Sequence, residues 1–304
     1  MLLFSMKRAS VLLFLLWPAA PSPSAAPVPH VKVDGRDVAI WKPAGAAPAS
    51  GYPVIVFSHG FTGCNTQSTF LMDALARAGY LVVAPNHQDA RCGTAQREKS
   101  GSALEGLFSS KPEQPFKDPG AWSDQTYKAR AEDIRSLLDS VLRDKSFGGV
   151  PVDAKRVGLA GHSLGGYTVL GLAGAWPSWR DKRAKAVLAL SAYCNPYVLK
   201  GDLEHLGVPV MYQGGTRDFG ITPAIRRFNG AYDVSSAPKV YVEFEGAGHF
   251  AWTDLNHAYT AQIDEYSVAF FNRYLKGETD PDPLLPLTGN PLPKGVSYLR
   301  SAWK

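Results

Sequence analysis

Six short runs along the chain are apolar at nearly every position: Tyr52–Ser58, Tyr80–Ala84, Arg156–Ala160, Lys185–Ala192, Pro209–Gly214 and Lys239–Phe244. Continuous rather than alternating apolar character at this length predicts parallel strands buried on both faces. Between them lie stretches of helical period. Ser68–Ala78 stops at Gly79, and Thr126–Lys145 sets Ile134, Leu137, Leu138, Val141 and Leu142 on one side. Gly166–Ala175 and Asn256–Leu275 complete the set, the latter with an aromatic stripe (Tyr259, Tyr266, Phe270, Tyr274) that reads as core packing. Val31–Val33 and Val38–Trp41 predict antiparallel edge strands. Strands alternating with helices predict an α/β domain, a mostly parallel central sheet with helices on both faces. Ligands of such sheets bind at the carboxyl ends of the strands.

The pattern breaks in three places. Residues 88–125 are irregular and polar; a loop of this length suits either a lid over the ligand end of the sheet or a plain surface excursion. From residue 277 to 304 the chain is Pro-rich and is expected to run extended over the surface as a tail. At the start, Lys7 and Arg8 precede a short apolar core, Val11–Trp17, and Ser24-Ala25-Ala26 offers small residues at a cleavage position. Residues 1–26 therefore read as a signal peptide cut after Ala26, its core too short for a stable membrane anchor. The expected product is a secreted or periplasmic single catalytic domain over residues 27–276.

The 304 residues, 45% hydrophobic and 19% charged, suffice for one large core. Net charge is +5, two units of it from Lys7 and Arg8, and no basic run interleaved with aromatics suggests nucleic acid. Of the three cysteines, Cys64 and Cys92 each follow a predicted parallel strand at the same end of the sheet. Export would allow that pair to bond and leave Cys194 free. None has metal-ligand spacing, and a monomer is expected.

The chemistry centres on Gly161-His162-Ser163-Leu164-Gly165, a G-x-S-x-G match between a strand and a helix. Such a turn projects the serine oxygen clear of the sheet. A serine hydroxyl needs a base, and the base a partner that orients it. His249, in Gly246-Ala247-Gly248-His249, follows the last apolar run, and Asp218 follows the one before. The order Ser163, Asp218, His249 is the one this strand–turn–helix motif expects. Asp254, Glu243 and Glu245 compete as the acid, and His59, His87, His162, His205 and His257 as the base, His162 being too close to the nucleophile to fold back onto it easily. An oxyanion needs two donors: the N–H of Leu164 supplies one, and that of Phe61, in His59-Gly60-Phe61 after the first apolar run, the other.

From about Tyr52 to Lys276 these residues resemble the α/β-hydrolase superfamily, on His59-Gly60-Phe61, Gly161–Gly166, Asp218 and Gly248-His249-Phe250. Within it the chain is similar to the branch of dienelactone-hydrolase-like, platelet-activating-factor-acetylhydrolase-like and cutinase or polyester-hydrolase proteins. Dienelactone hydrolases proper carry cysteine where Ser163 stands. The acetylhydrolases place their acid after the preceding strand, where this chain reads Leu190-Ser191-Ala192. The resemblance implies that Phe61 and Tyr193 clamp an acyl group, and His162 is counted with them as substrate-binding. The function expected is a serine carboxylesterase acting on small or polymeric esters through an acyl-enzyme. That hydrolytic chemistry needs neither a metal nor an organic cofactor, so none is expected. Alternatives are an acetylhydrolase of short acyl phospholipid-type esters, a peptidase or amidase on the same triad, and a non-catalytic binding protein.

Overall fold

The computed structural model describes residues 27–92, 116–200 and 202–303. The expected signal peptide and residues 93–115 of the long polar loop lie outside them. Ten strands are described: β1 (His30–Val33), β2 (Arg36–Trp41), β3 (Tyr52–Ser58), β4 (Leu81–Pro85), β5 (Ser146–Phe147), β6 (Val150–His162), β7 (Ala184–Leu190), β8 (Val210–Gly215), β9 (Lys239–Phe244) and β10 (Val296–Ala302). Nine of them form one sheet in the order β1-β2-β4-β3-β6-β7-β8-β9-β10, and β5 makes a short hairpin with β6. The pairs from β4 through β9 are parallel, while β1–β2, β2–β4 and β9–β10 are antiparallel. The longer helices are α1 (Thr69–Arg77), α2 (Lys128–Leu142), α3 (Leu164–Leu170) and α4 (Thr260–Phe271).

Period-two alternation explains why the central strands are apolar throughout. Val54, Val56, Val157, Leu159 and Val187 point into one core with α2 and α3. Their neighbours Ile55, Phe57, Ala160, Leu188 and Leu190 point into a second core with α1 and α4. Strands β3, β6, β7 and β8 run parallel with Ser58 beside Gly161, His162 beside Leu190 and Leu190 beside Gln213, so their carboxyl ends lie along one edge of the sheet.

Within the expected tail the described residues 277–303 include a strand: β10 pairs antiparallel with β9, from Val296 opposite Phe244 to Ala302 opposite Lys239. The physical reason is that β9 would otherwise present a row of unpaired N–H and C=O groups at the sheet edge. Leu284, Leu287 and Val296 enter the second core, and the Tyr266 hydroxyl donates to the Leu287 carbonyl at 2.7 Å. Prolines between these apolar positions mask the strand in the sequence. Cys64 and Cys92 are disulfide-bonded, and Cys194 is free and buried.

Candidate active site

Strand β6 ends at His162, and Ser163 turns the chain into α3 with φ 57° and ψ −117°. A left-handed φ at a residue with a Cβ is uncommon and must be held by its surroundings. Here the Ser163 N–H donates to Leu190 O at 3.0 Å, and Ser163 O accepts from Tyr193 N–H at 3.0 Å and Tyr167 N–H at 3.1 Å. The glycines two residues to either side are required by space. A Cβ on Gly161 would overlap the Gly165 carbonyl, and one on Gly165 would overlap the Ser58 carbonyl of β3.

His249 opens a short helical turn after β9, and its Nε2 lies 3.0 Å from Ser163 Oγ. Asp218 follows β8 in a turn closed by its N–H donating to Gly215 O at 3.0 Å. Its Oδ1 stands 3.4 Å from His249 Nδ1. Between them lies a residue the sequence did not single out. Ser191, which ends the β7 run at φ 42°, places Oγ 2.7 Å from His249 Nδ1 and also hydrogen-bonds Asp218 Oδ2. Its only signal was a polar side chain closing an otherwise apolar strand. A hydroxyl, an imidazole, a second hydroxyl and a carboxylate thus stand in series across the ends of β6, β9, β7 and β8.

The turn after β3 carries the second expected oxyanion donor. Gly60 N–H donates to Gln67 Oε1 at 3.0 Å, Thr62 N–H to Asp89 Oδ2 at 3.0 Å and Gly63 N–H to Gly60 O at 3.0 Å. The Phe61 N–H has no acceptor among the described residues. Arg130, from α2 and 2% exposed, braces the turn from behind. It donates to His59 O at 2.8 Å and Gly60 O at 3.1 Å while forking onto Asp89 at 2.9 and 3.0 Å. Burial pushes the Asp89 carboxyl up, but the charge and hydrogen bonds of Arg130 outweigh it and hold Asp89 far below the usual carboxylate range.

His162 does not line the cleft, contrary to expectation. It is 2% exposed, its Nε2–H donates to His249 O at 2.8 Å, and its Nδ1 accepts from Gln67 Nε2 at 3.0 Å. Burial, with His249 beside it, keeps the ring well below its ordinary pKa and therefore neutral. A residue inside the strand end packs under the site rather than facing substrate.

The competing groups are accounted for. Asp254 caps α1 through Thr69 N–H at 3.0 Å, and Glu243 pairs with Arg226 at 3.0 Å. Glu245, His205 and His257 are exposed. His87 sits in a second chain of groups, Ser58 Oγ to His87 Nε2 at 2.8 Å and His87 Nδ1 to Asp133 Oδ2 at 2.9 Å. All three are buried. Burial keeps His87 and His59 neutral and pushes Asp133 up to about 6, even beside Arg36.

Next to His249 opens a cleft of about 430 Å³ whose wall includes Phe116, Tyr193, Phe219 and Phe250. Tyr193 stands edge-on to Phe116 at 5.2 Å and donates its hydroxyl proton to Phe116 O at 2.8 Å. Phe61 packs edge-on against Phe116 at 5.4 Å and so joins the wall indirectly. Among the described residues no group of His, Cys, Asp and Glu could hold a metal ion, and no helix is long and apolar enough to cross a membrane.

A family model described as PET hydrolase-like matches residues 118–290, and one described as platelet-activating factor acetylhydrolase, isoform II, matches residues 36–143. Cutinase 2 of Thermobifida cellulosilytica is 25% identical over 231 residues, 75% of this chain and 70% of its own. Cutinase est1 of Thermobifida alba is 27% identical over 231 residues, 75% of this chain and 62% of its own. The matched stretch spans 58% of the length of cutinase cut1 of Thermobifida fusca.

Proposed function

The chain belongs to the PET hydrolase-like family, and on that premise we propose that it is a serine hydrolase of carboxylic esters whose nucleophile is Ser163. The observation that carries the reading is the 3.0 Å contact of His249 Nε2 with Ser163 Oγ on a strained turn. His249 takes the Ser163 proton as Oγ attacks the ester carbonyl. The N–H groups of Leu164 and Phe61 receive the oxyanion. His249 then protonates the departing alkoxide, leaving an acyl-enzyme. Water, deprotonated by the same imidazole, releases the acid. Asp218 supplies the negative charge that favours the imidazolium.

The aromatic wall supports an apolar acyl or alcohol part, and Phe219, 79% exposed at the cleft, supports contact with extended substrates such as polyesters. A second reading, hydrolysis of short acyl esters, is favoured by the acetylhydrolase match over residues 36–143. Export through residues 1–26 belongs to the same proposal, and the Cys64–Cys92 disulfide supports it.

Hydrolysis of p-nitrophenyl esters from acetyl to palmitoyl, with Ser163→Ala alongside, tests the reading. Turnover by the wild type that Ser163→Ala loses to background supports it, and chain-length preference separates the two substrate classes. Turnover retained by Ser163→Ala would sink it.

A further inference from the structure

The carboxylate and the imidazole of this site do not make the short contact that their roles require. Asp218 Oδ1 stands 3.4 Å from His249 Nδ1, beyond the usual 2.7–3.2 Å of an N–H···O bond. The atom within that range is Ser191 Oγ, at 2.7 Å, which is itself hydrogen-bonded to Asp218 Oδ2. We infer that Ser191 is a positioning residue, coupling the Asp218 charge to His249 through its hydroxyl. The inference rests on the hydrolase reading above.

The donors and acceptors fit one arrangement. An ionised carboxylate only accepts, so Ser191 O–H must donate to Asp218. Ser191 oxygen keeps its lone pairs and accepts from His249 Nδ1–H. That fixes the neutral imidazole with its lone pair on Nε2, facing Ser163 Oγ. When Ser163 attacks, its proton passes to Nε2 and the Ser163 oxygen electrons form the new bond to the carbonyl carbon. The Nδ1 proton stays on the ring and the Ser191 proton stays on Ser191, so no proton reaches Asp218. The positive ring then faces a hydroxyl dipole already oriented by a negative charge.

The backbone holds Ser191 in place for this. Its N–H donates to Gln213 O of β8 at 2.8 Å, its side chain is fully buried, and its φ of 42° aims Oγ into the space between β8 and the His249 turn. Two residues on, Tyr193 N–H is tied to Ser163 O. Ser191 is therefore fixed to the strand of the acid and to the turn of the nucleophile at once. Thr222 Oγ1 approaches Asp218 Oδ2 at 3.5 Å, too long to replace it. The other titratable or charged groups facing His249 are His162, 4.8 Å away ring to ring, and Arg217 and Lys117 across the cleft.

The test compares wild type, Ser191→Ala, Ser191→Thr and Ser191→Cys across pH, reading both p-nitrophenyl acetate turnover and the rate at which a fluorophosphonate labels Ser163. Ser191→Ala should lower kcat and the labelling rate on the order of tenfold or more, part of what a positioned base contributes, with KM unchanged. The acidic limb of its profile should move to lower pH, because the imidazolium loses its partner. Ser191→Thr keeps the hydroxyl but adds a methyl at a buried, left-handed position, so it should restore the rate only in part, and Ser191→Cys, a weaker donor of similar size, should also fall between Ser191→Ala and wild type. Should Ser191→Ala fail to fold, the Thr and Cys variants decide the matter. Wild-type rates and an unmoved limb in Ser191→Ala, or Ser191→Cys equal to wild type, would overturn the inference. A wild type that the probe does not label would instead refute Ser163 as the nucleophile, so the two failures are distinct.

Discussion

Replacing Arg130 with Gln removes a brace that reaches the site through the backbone. The guanidinium donates to two carbonyl oxygens, of His59 and Gly60, and forks onto Asp89. Hydrogen bonds from a charged donor contribute about 1.5–3 kcal/mol each. Leaving one partner of a buried ion pair unpaired costs about 3–5 kcal/mol. Because Gln can restore one contact, a loss of about 3–5 kcal/mol is expected for Arg130→Gln. Asp89→Asn should cost a comparable amount: its amide oxygen still accepts from Thr62 N–H, but the buried Arg130 charge is left without its counter-ion. The double variant should lose less than the two single losses added, by about 1–3 kcal/mol of coupling. Midpoints of urea unfolding at constant m-value measure this. In the folded fraction, kcat should fall more than KM rises, because the Phe61 N–H is displaced. The ceiling on that loss is the ~10²–10³-fold effect of removing one oxyanion donor. Additive losses in the double variant would refute the coupling, and an unchanged kcat would reduce the brace to a purely structural one.

Two further predictions concern stability. Asp264 has a buried Oδ1 without a partner among the described residues, and burial pushes its carboxyl up to about 7 despite Arg77. A raised carboxyl binds its proton more tightly in the folded state, so stability is lost as pH rises from the unfolded value near 4 through about 7. The full shift is a ceiling of ~4 kcal/mol, and partial exposure reduces it to ~1 kcal/mol. Asp264→Asn should therefore stabilise by ~1 kcal/mol at pH 8, by a fraction of that near pH 5 and by nothing near pH 3, read from unfolding midpoints; a gain independent of pH would contradict the cause. The Cys64–Cys92 bond closes a loop of sequence separation 28, for which chain entropy gives about 3–4 kcal/mol. The Cys64→Ala, Cys92→Ala double variant should lose about that much in denaturant unfolding, and an unchanged midpoint would refute it.

The central strands were legible because Tyr52–Ser58 and its like are apolar on both faces, which few other structures demand. The meeting of Ser163, Asp218 and His249 in space was legible through a glycine-flanked serine between strand and helix and through an acid and a histidine placed after later strands. Ser191, Gln67 and Arg130 were not, since a polar residue shows its role only through partners brought in by the fold. Gln67 meets His162 across 95 residues and Arg130 meets His59 across 71. The amino end of β6 was missed because Pro151, Asp153 and Lys155 interrupt its apolar pattern. His162 was misread because adjacency in sequence says nothing about which side of a strand end a ring occupies.

Ser191 follows β7, Asp218 β8, Ser163 β6 and His249 β9, so neighbouring strands each deliver one member of the candidate site. On the proposed mechanism no subset of these strands would suffice. Each parallel pairing closes a chain loop of tens of residues, the slow kind of contact in folding. Helix α2 and the β5–β6 hairpin can form from local contacts alone. During refolding, circular dichroism should therefore recover ahead of labelling at Ser163, which reports only chains whose strands have all come into register. The site doubles as a readout of the last step of its own assembly.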